Sequence, residues 1–162
     1  MDEEYDMVMS NQTVLSTVFK QAVSQYQEGE YTSALEGFSE AHLNATREDS
    51  FYNKYLSYHG LMLALLQRPR GLEMCRNAAA NEQFDGDVFL NLAKAEQKAG
   101  NRLECIRALQ RGLQIAPNNG ELRAMRRQIG VRRKPVLRFL PRDNPVNVLL
   151  GKITYRGQSA AH

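Results

Sequence analysis

Apolar residues recur along most of this chain at three- and four-residue spacing, the period of an amphipathic helix. The stretch from Gly86 to Asn119 shows the pattern most clearly. Phe89, Leu92, Ala93 and Glu96 mark one stripe, and Leu103, Ile106, Leu109 and Leu113 mark a second. Gly100 falls between them, where a first helix must end and reverse, and Pro117 stands where the second cannot continue. The stretch therefore predicts a helical hairpin.

The same pattern precedes it. Thr13 can cap a helix running to about Gln27, with Leu15, Val18, Phe19, Ala22, Val23 and Tyr26 on its apolar side. Gly29 breaks that helix, and a second begins at Tyr31 with Ala34, Leu35, Phe38 and Ala41. A third starts near Tyr52 after a cap at Ser50 and is apolar nearly all round, as a helix buried between two others should be. Leu72, Met74, Cys75, Ala78 and Ala79 give a weaker fourth. After Asn119-Gly120, Leu122, Met125 and Ile129 lie on one face and Arg123, Arg126 and Arg127 away from it, the pattern of a capping helix. Residues 1–12 hold four acids and little that could pack, which predicts a loose arm. Past Gly130, Pro135, Pro141 and Pro145 forbid a long helix, and only a short one over Val146 to Leu150 is expected.

Two stretches carry a family resemblance. Gly29-x-Tyr31-x-x-Ala34-Leu35-x-x-Phe38-x-x-Ala41 and the close Ala116-Pro117-Asn118-Asn119 resemble the tetratricopeptide repeat. Aligned to it, three units start at Leu15, Tyr52 and Gly86, with a small insertion around Arg47 to Asp49 and Pro69 in place of the second unit's turn glycine. The resemblance implies an all-α, right-handed solenoid of three helix hairpins plus a capping helix over residues 13–130, followed by a basic, irregular extension over 131–162. It implies a non-enzymatic adaptor whose first helices line a groove for a peptide or helix. By alignment that groove exposes Phe19, Val23 and Tyr26, then Asn53, Leu56 and Leu63, then Asp87, Leu90, Lys94 and Lys98. Some members of the family clamp a C-terminal carboxylate with Lys and Asn in the first repeat, and here Phe19 and Val23 hold those places. Lys94 and Lys98 still favour an acidic peptide. The tail, with Arg132-Arg133-x-Pro135 and Asn144-Pro145-x-Asn147, resembles tails behind such repeats in small bacterial proteins.

Charge changes the picture at one end. Residues 1–100 carry 8 basic and 15 acidic side chains, a net −7, whereas residues 101–162 carry 13 and 3, a net +10. The set Arg126, Arg127, Arg132, Arg133, Lys134, Arg138 and Arg142 can be solvated surface, can dock on the chain's own acidic body or on a partner protein, or can meet nucleic acid or an anionic surface. The apolar residues interspersed with it, Val136, Leu137, Phe139 and Leu140, then Val148 to Leu150 and Ile153, argue for docking, and self-association through Val146–Ile153 is a further alternative.

Candidate chemistry adds little. His42, His59 and His162 are scattered, and Cys75 and Cys105 sit on helix stripes as small apolar fillers. No phosphate loop, paired-carboxylate motif or metal-ligand spacing occurs, so no cofactor, metal or catalytic residue is expected. Asp85 and Asp87 read as a helix cap. The acidic N-terminus is unlike a secretory signal and no apolar run reaches the roughly 18 residues that span a bilayer, which predicts a cytoplasmic protein.

Overall fold

The computed structural model describes residues 2–130 and Pro145, with side chains from Thr13 onward. The chain divides into two compact units, Met1–Ile129 and Gly130–His162. Apart from Gly130 and Pro145 the second unit lies outside the described residues, and with it the expected helix over 146–150, the tail's apolar residues, and Arg132, Arg133, Lys134, Arg138 and Arg142.

The first unit consists of α1 (Asp2–Glu28), α2 (Tyr31–Asn44), α3 (Tyr52–Leu65), α4 (Gly71–Ala80), α5 (Gly86–Lys98), α6 (Arg102–Ile115) and α7 (Gly120–Ile129). No strand occurs among the described residues. Helices pair in sequence as α1 with α2, α3 with α4 and α5 with α6. Neighbouring pairs then meet through α2 with α3, α3 with α5 and α4 with α5, and α7 closes the stack on α6. The architecture is an all-α repeat solenoid of three hairpins and a capping helix.

The N-terminus differs from the expectation of a loose arm over 1–12. The backbone is helical from Asp2, so Thr13 is an interior residue and its carbonyl accepts a hydrogen bond from Thr17 Oγ1 at 3.0 Å. The sequence has no Gly or Pro between Asp2 and Gly29, and it places acids at the positive end of the helix dipole. The cap expected at Ser50 is also displaced: Asp49 Oδ1 accepts from the Phe51 amide at 2.8 Å, and Phe51 is the residue that opens α3. Asp85 caps α5 as expected, accepting from the Asp87 amide at 2.8 Å.

The three hairpins turn in the same way. After α1, Gly29 (φ +86°) donates to the Tyr26 carbonyl and Glu30 to the Gln25 carbonyl. After α5, Gly100 (φ +79°) and Asn101 make the matching bonds to Gln97 and Glu96. After α3 the pair is Gln67 (φ +55°) to Ala64 and Arg68 to Leu63. Each is a left-handed C-terminal cap, a place where glycine has no steric cost. Gln67 therefore takes the position sequence reasoning gave to Pro69, and the second unit is registered one residue later than its expected start at Tyr52.

A cluster of aromatic rings holds the first two hairpins together. Phe19 sits 5.4 Å from Phe38, 5.1 Å from Tyr55 and 5.1 Å from Tyr58, centroid to centroid. At the other end Leu90, Cys105, Leu109, Leu122 and Met125 pack as one group across α5, α6 and α7. Between them Glu96 on α5 is buried, 2% exposed, and takes a bidentate contact from Arg76 on α4 (2.7 and 3.1 Å) and a third from Asn101 Nδ2 at 2.8 Å. A buried carboxylate needs such partners. The helical period put Glu96 on the buried stripe, and this is how the stripe tolerates it.

Candidate partner-binding surfaces

Lysines link the first helices of the repeats. Lys94 on α5 reaches Tyr26 Oη on α1 at 3.3 Å and Glu121 on α7 at 3.0 Å, and its ammonium lies 5.4 Å from the Tyr26 ring centroid. Burial pulls the Lys94 pKa down, but Tyr26 and Glu121 outweigh it and the ammonium is held above its ordinary value. On α3, Lys54 bridges Asp85 (3.0 Å) and Asp87 (3.3 Å), and Asn119 Nδ2 donates to the other Asp87 oxygen at 3.0 Å. Burial likewise opposes the Lys54 charge, and the two aspartates more than restore it. Tyr58, between these groups, has its phenol pushed well above the usual range by burial first and then by Asp87, Glu121 and Asp85. Together α1, α3, α5 and α7 carry a polar network of fixed donors and acceptors.

A concavity of about 880 Å³ opens between α2, α3 and α4. His42, Tyr52, Leu56, His59, Leu63 and Met74 are among its walls. Another, about 900 Å³, lies at the α3–α4 turn, where Arg68, Arg70, Arg76 and Lys98 gather with Glu73. Neither includes Tyr26, Lys94 or Glu121.

The residues expected in one groove are thus divided among several environments. Tyr26 and Lys94 are brought together, and Val23 packs half-buried against the aromatic cluster. Phe19 (8% exposed) and Leu90 (4%) are not on an open surface, because the rings of α2 and α3 cover the first and α6 and α7 cover the second. Asn53, Leu56 and Leu63 line the α2–α3–α4 cleft, and Asn53 Nδ2 donates to the Asn81 carbonyl at 3.1 Å. The α3 residues in the polar network are instead Lys54 and Tyr58, and Lys54 stands one residue after Asn53, as the register shift requires. Lys98 is exposed at the α3–α4 turn and does not join Lys94. Of the basic set, Arg127 is exposed on α7 and Arg126 is half-buried beside it.

One feature was missed from sequence. His42 and His59 meet, Nδ1 to Nδ1, at 3.0 Å, with Tyr52 Oη 3.4 Å from the far nitrogen of His42. The helical period alone gives no sign of a contact made across two helices. Both cysteines are free and buried, with the Cys75 thiol pushed up to about 12 by burial and then by Glu96, so it stays an inert thiol at neutral pH.

Comparison with known structures agrees with this architecture. No family model and no curated protein matches the chain. Among solved structures it is similar to the first tetratricopeptide domain of human RPAP3 (16% identity, TM-score 0.56), covering 71% of this chain and 88% of that one. It is similar to the first such domain of Spaghetti bound to the HSP90 peptide SRMEEVD (16%, 0.54; 71% and 89%) and to the domain of Arabidopsis OM64 (12%, 0.55; 74% and 97%). The helical hairpins of the first unit have the fold of a tetratricopeptide-repeat domain. No helix among the described residues is long and apolar enough to cross a membrane.

Proposed function

We propose that this chain is a non-enzymatic protein–protein interaction adaptor that binds an acidic peptide segment against α1, α5 and α7, with Lys94 as the anchoring cation. The observation that carries the reading is the state of Lys94. It is half-buried and fixed by the Tyr26 hydroxyl, and its charge partner Glu121 has a side chain 70% exposed. An ion pair with so exposed a carboxylate is worth little in water, so a carboxylate from a partner can replace Glu121 at small cost. Lys54 is less available, because two aspartates hold it. The peptide held by the Spaghetti domain, SRMEEVD, carries acids of the kind this exchange requires.

The reading is tested by fluorescence anisotropy with labelled acidic peptides, SRMEEVD among them, on the full chain. Glu121→Gln is expected to raise affinity by removing the internal competitor. Lys94→Glu is expected to lower it at least tenfold, and Tyr26→Phe to lower it less. If neither Lys94→Glu nor Glu121→Gln alters the affinity of any peptide that binds, this surface is not the site.

A further inference from the structure

The α2–α3–α4 cleft contains a pair of side chains that the adaptor reading does not use. We propose that His42 and His59 form a two-histidine site for a divalent transition-metal ion of the Cu(II) and Ni(II) class, bound through the two Nδ1 atoms with solvent completing the coordination.

The geometry carries the argument. The two Nδ1 atoms are 3.0 Å apart. Nitrogens held on one ion at about 2.05 Å stand roughly 2.9 Å apart at a right angle and roughly 3.4 Å apart at a tetrahedral angle. The observed separation matches adjacent positions of a tetragonal or octahedral site, which the two rings reach by turning their Nδ1 lone pairs from each other towards the ion. Imidazole nitrogens are suited to these ions, and tetragonal nitrogen and oxygen surroundings select Cu(II) and Ni(II).

The surroundings fit the same role. Metal-bound imidazoles direct their remaining N–H at an oxygen, and His42 Nε2 faces Tyr52 Oη at 3.4 Å. The Tyr52 ring also sits 5.5 Å from that of His42, which helps fix its plane. Both rings line a cleft of about 880 Å³, so an ion and its waters can enter. The charged groups lining that cleft are Arg47, Arg70 and Glu73, so one carboxylate faces it against two guanidinium groups. The described residues hold no set of three or more such ligand groups, and the protein's share is therefore these two nitrogens. Burial keeps both rings neutral near pH 7, the form that binds metal.

The protons balance without an acid or base. In the metal-free pair one Nδ1 carries a proton and donates it to the other. On binding, that proton is relocated to Nε2 of the same ring, so both rings present a bare Nδ1 and none is released overall.

The test is calorimetric titration of the full chain with Ni(II) and with Cu(II) at pH 7.5, on a His162→Gln background to remove the third histidine. One ion per chain is expected, Cu(II) tighter than Ni(II), with a heat that does not vary with the buffer's ionisation enthalpy. His42→Gln and His59→Gln should each lower affinity at least tenfold, and Tyr52→Phe by less than either. Binding of Ni(II) by either histidine variant as tightly as by its parent would overturn the site. So would release of about one proton or more per ion, the mark of backbone amides or an amine. A second measurement does not depend on the variants folding: ¹⁵N spectra of the unsubstituted chain with substoichiometric paramagnetic Cu(II) should show the resonances of both imidazoles broadened first, and resonances that stay sharp refute the proposal.

Discussion

The second and third hairpins reach the same turn with different residues. After α5, Gly100 occupies the left-handed position and Asp85 caps the start of the hairpin. After α3, Gln67 takes that position, and Arg70, also left-handed at φ +70°, opens α4 with no side-chain cap. The paired hydrogen bonds that close the two turns are nonetheless the same. What the repeat conserves is a backbone path set by packing on the neighbouring hairpins. Glycine is the least costly way to follow it, not the sole way.

The second hairpin uses glycine for a different purpose. A Cβ on Gly71 would stand 2.4 Å from the Ala64 nitrogen and 2.7 Å from the Gly60 oxygen, all backbone. α3 and α4 are therefore closer at this point than any side chain allows. Gly71→Ala is expected to give the largest loss, about 3 kcal/mol or more in urea unfolding, because no flexible neighbour can yield. Gly120→Ala meets nothing within 4 Å and should be close to neutral or mildly stabilising. Equal effects from the two would show that α3 and α4 can separate without cost.

The next effect tests what joins the two hairpins. Arg76→Ala leaves the Glu96 carboxylate, 2% exposed, with Asn101 alone. Removing one partner of a buried pair costs several kcal/mol. The Arg76 side chain is 51% exposed, so water can enter where it stood, and a loss of about 2 kcal/mol is expected. Arg76→Ala combined with Glu96→Gln should recover part of that loss. If the double variant is no more stable than the single, the pair does not hold α4 against α5.

The comparison also explains how far the sequence could be read. Gly29, Gly100 and Pro117 punctuate the first and third hairpins, and with the apolar period they made the fold legible. In the second hairpin the left-handed residue is a glutamine two places before a proline, so nothing in the sequence marks it. That single missing mark assigned Asn53, Leu56 and Leu63 to the groove with Lys94, when they line the α2–α3–α4 cleft and Lys54 and Tyr58 are the α3 residues in the polar network. Phe19 and Leu90 were misjudged for another reason. Periodicity shows which face is apolar but not which neighbouring helix covers it. The His42–His59 contact spans 17 residues and two helices, and depends on how α2 packs against α3.

Exchanging the turn residues sharpens the comparison directly. Gln67→Gly should stabilise the chain by about 1 kcal/mol, the cost of a side chain in the left-handed region. Gly100→Gln should destabilise it by a similar amount. Both are measured by thermal or urea unfolding. If Gln67→Gly destabilises, the glutamine side chain contributes contacts that outweigh its backbone strain.

The smallest effect concerns pH and arises where the first and second hairpins meet. His59 is held down to about 4 by burial and then by His42, against 6.5 for an ordinary imidazole, and burial lowers His42 as well. Above pH 6.5 both states are neutral and the shift has no effect on stability. As pH falls from 6.5 towards 4 the unfolded chain takes up protons that the folded one refuses, so unfolding gains and stability drops. The rings are only half-buried, and with solvent screening the loss between pH 7 and pH 5 should be on the order of 1 kcal/mol. Carboxylates also titrate near the lower limit, so the quantity to measure is the difference between the chain and its His59→Gln variant. That variant should lose less stability on acidification, although its stability at pH 7 can lie on either side of the parent's. Parallel pH profiles for the two would mean that the imidazole pair accepts a proton as readily as free histidine, and that the second hairpin is no more sensitive to acid than the third.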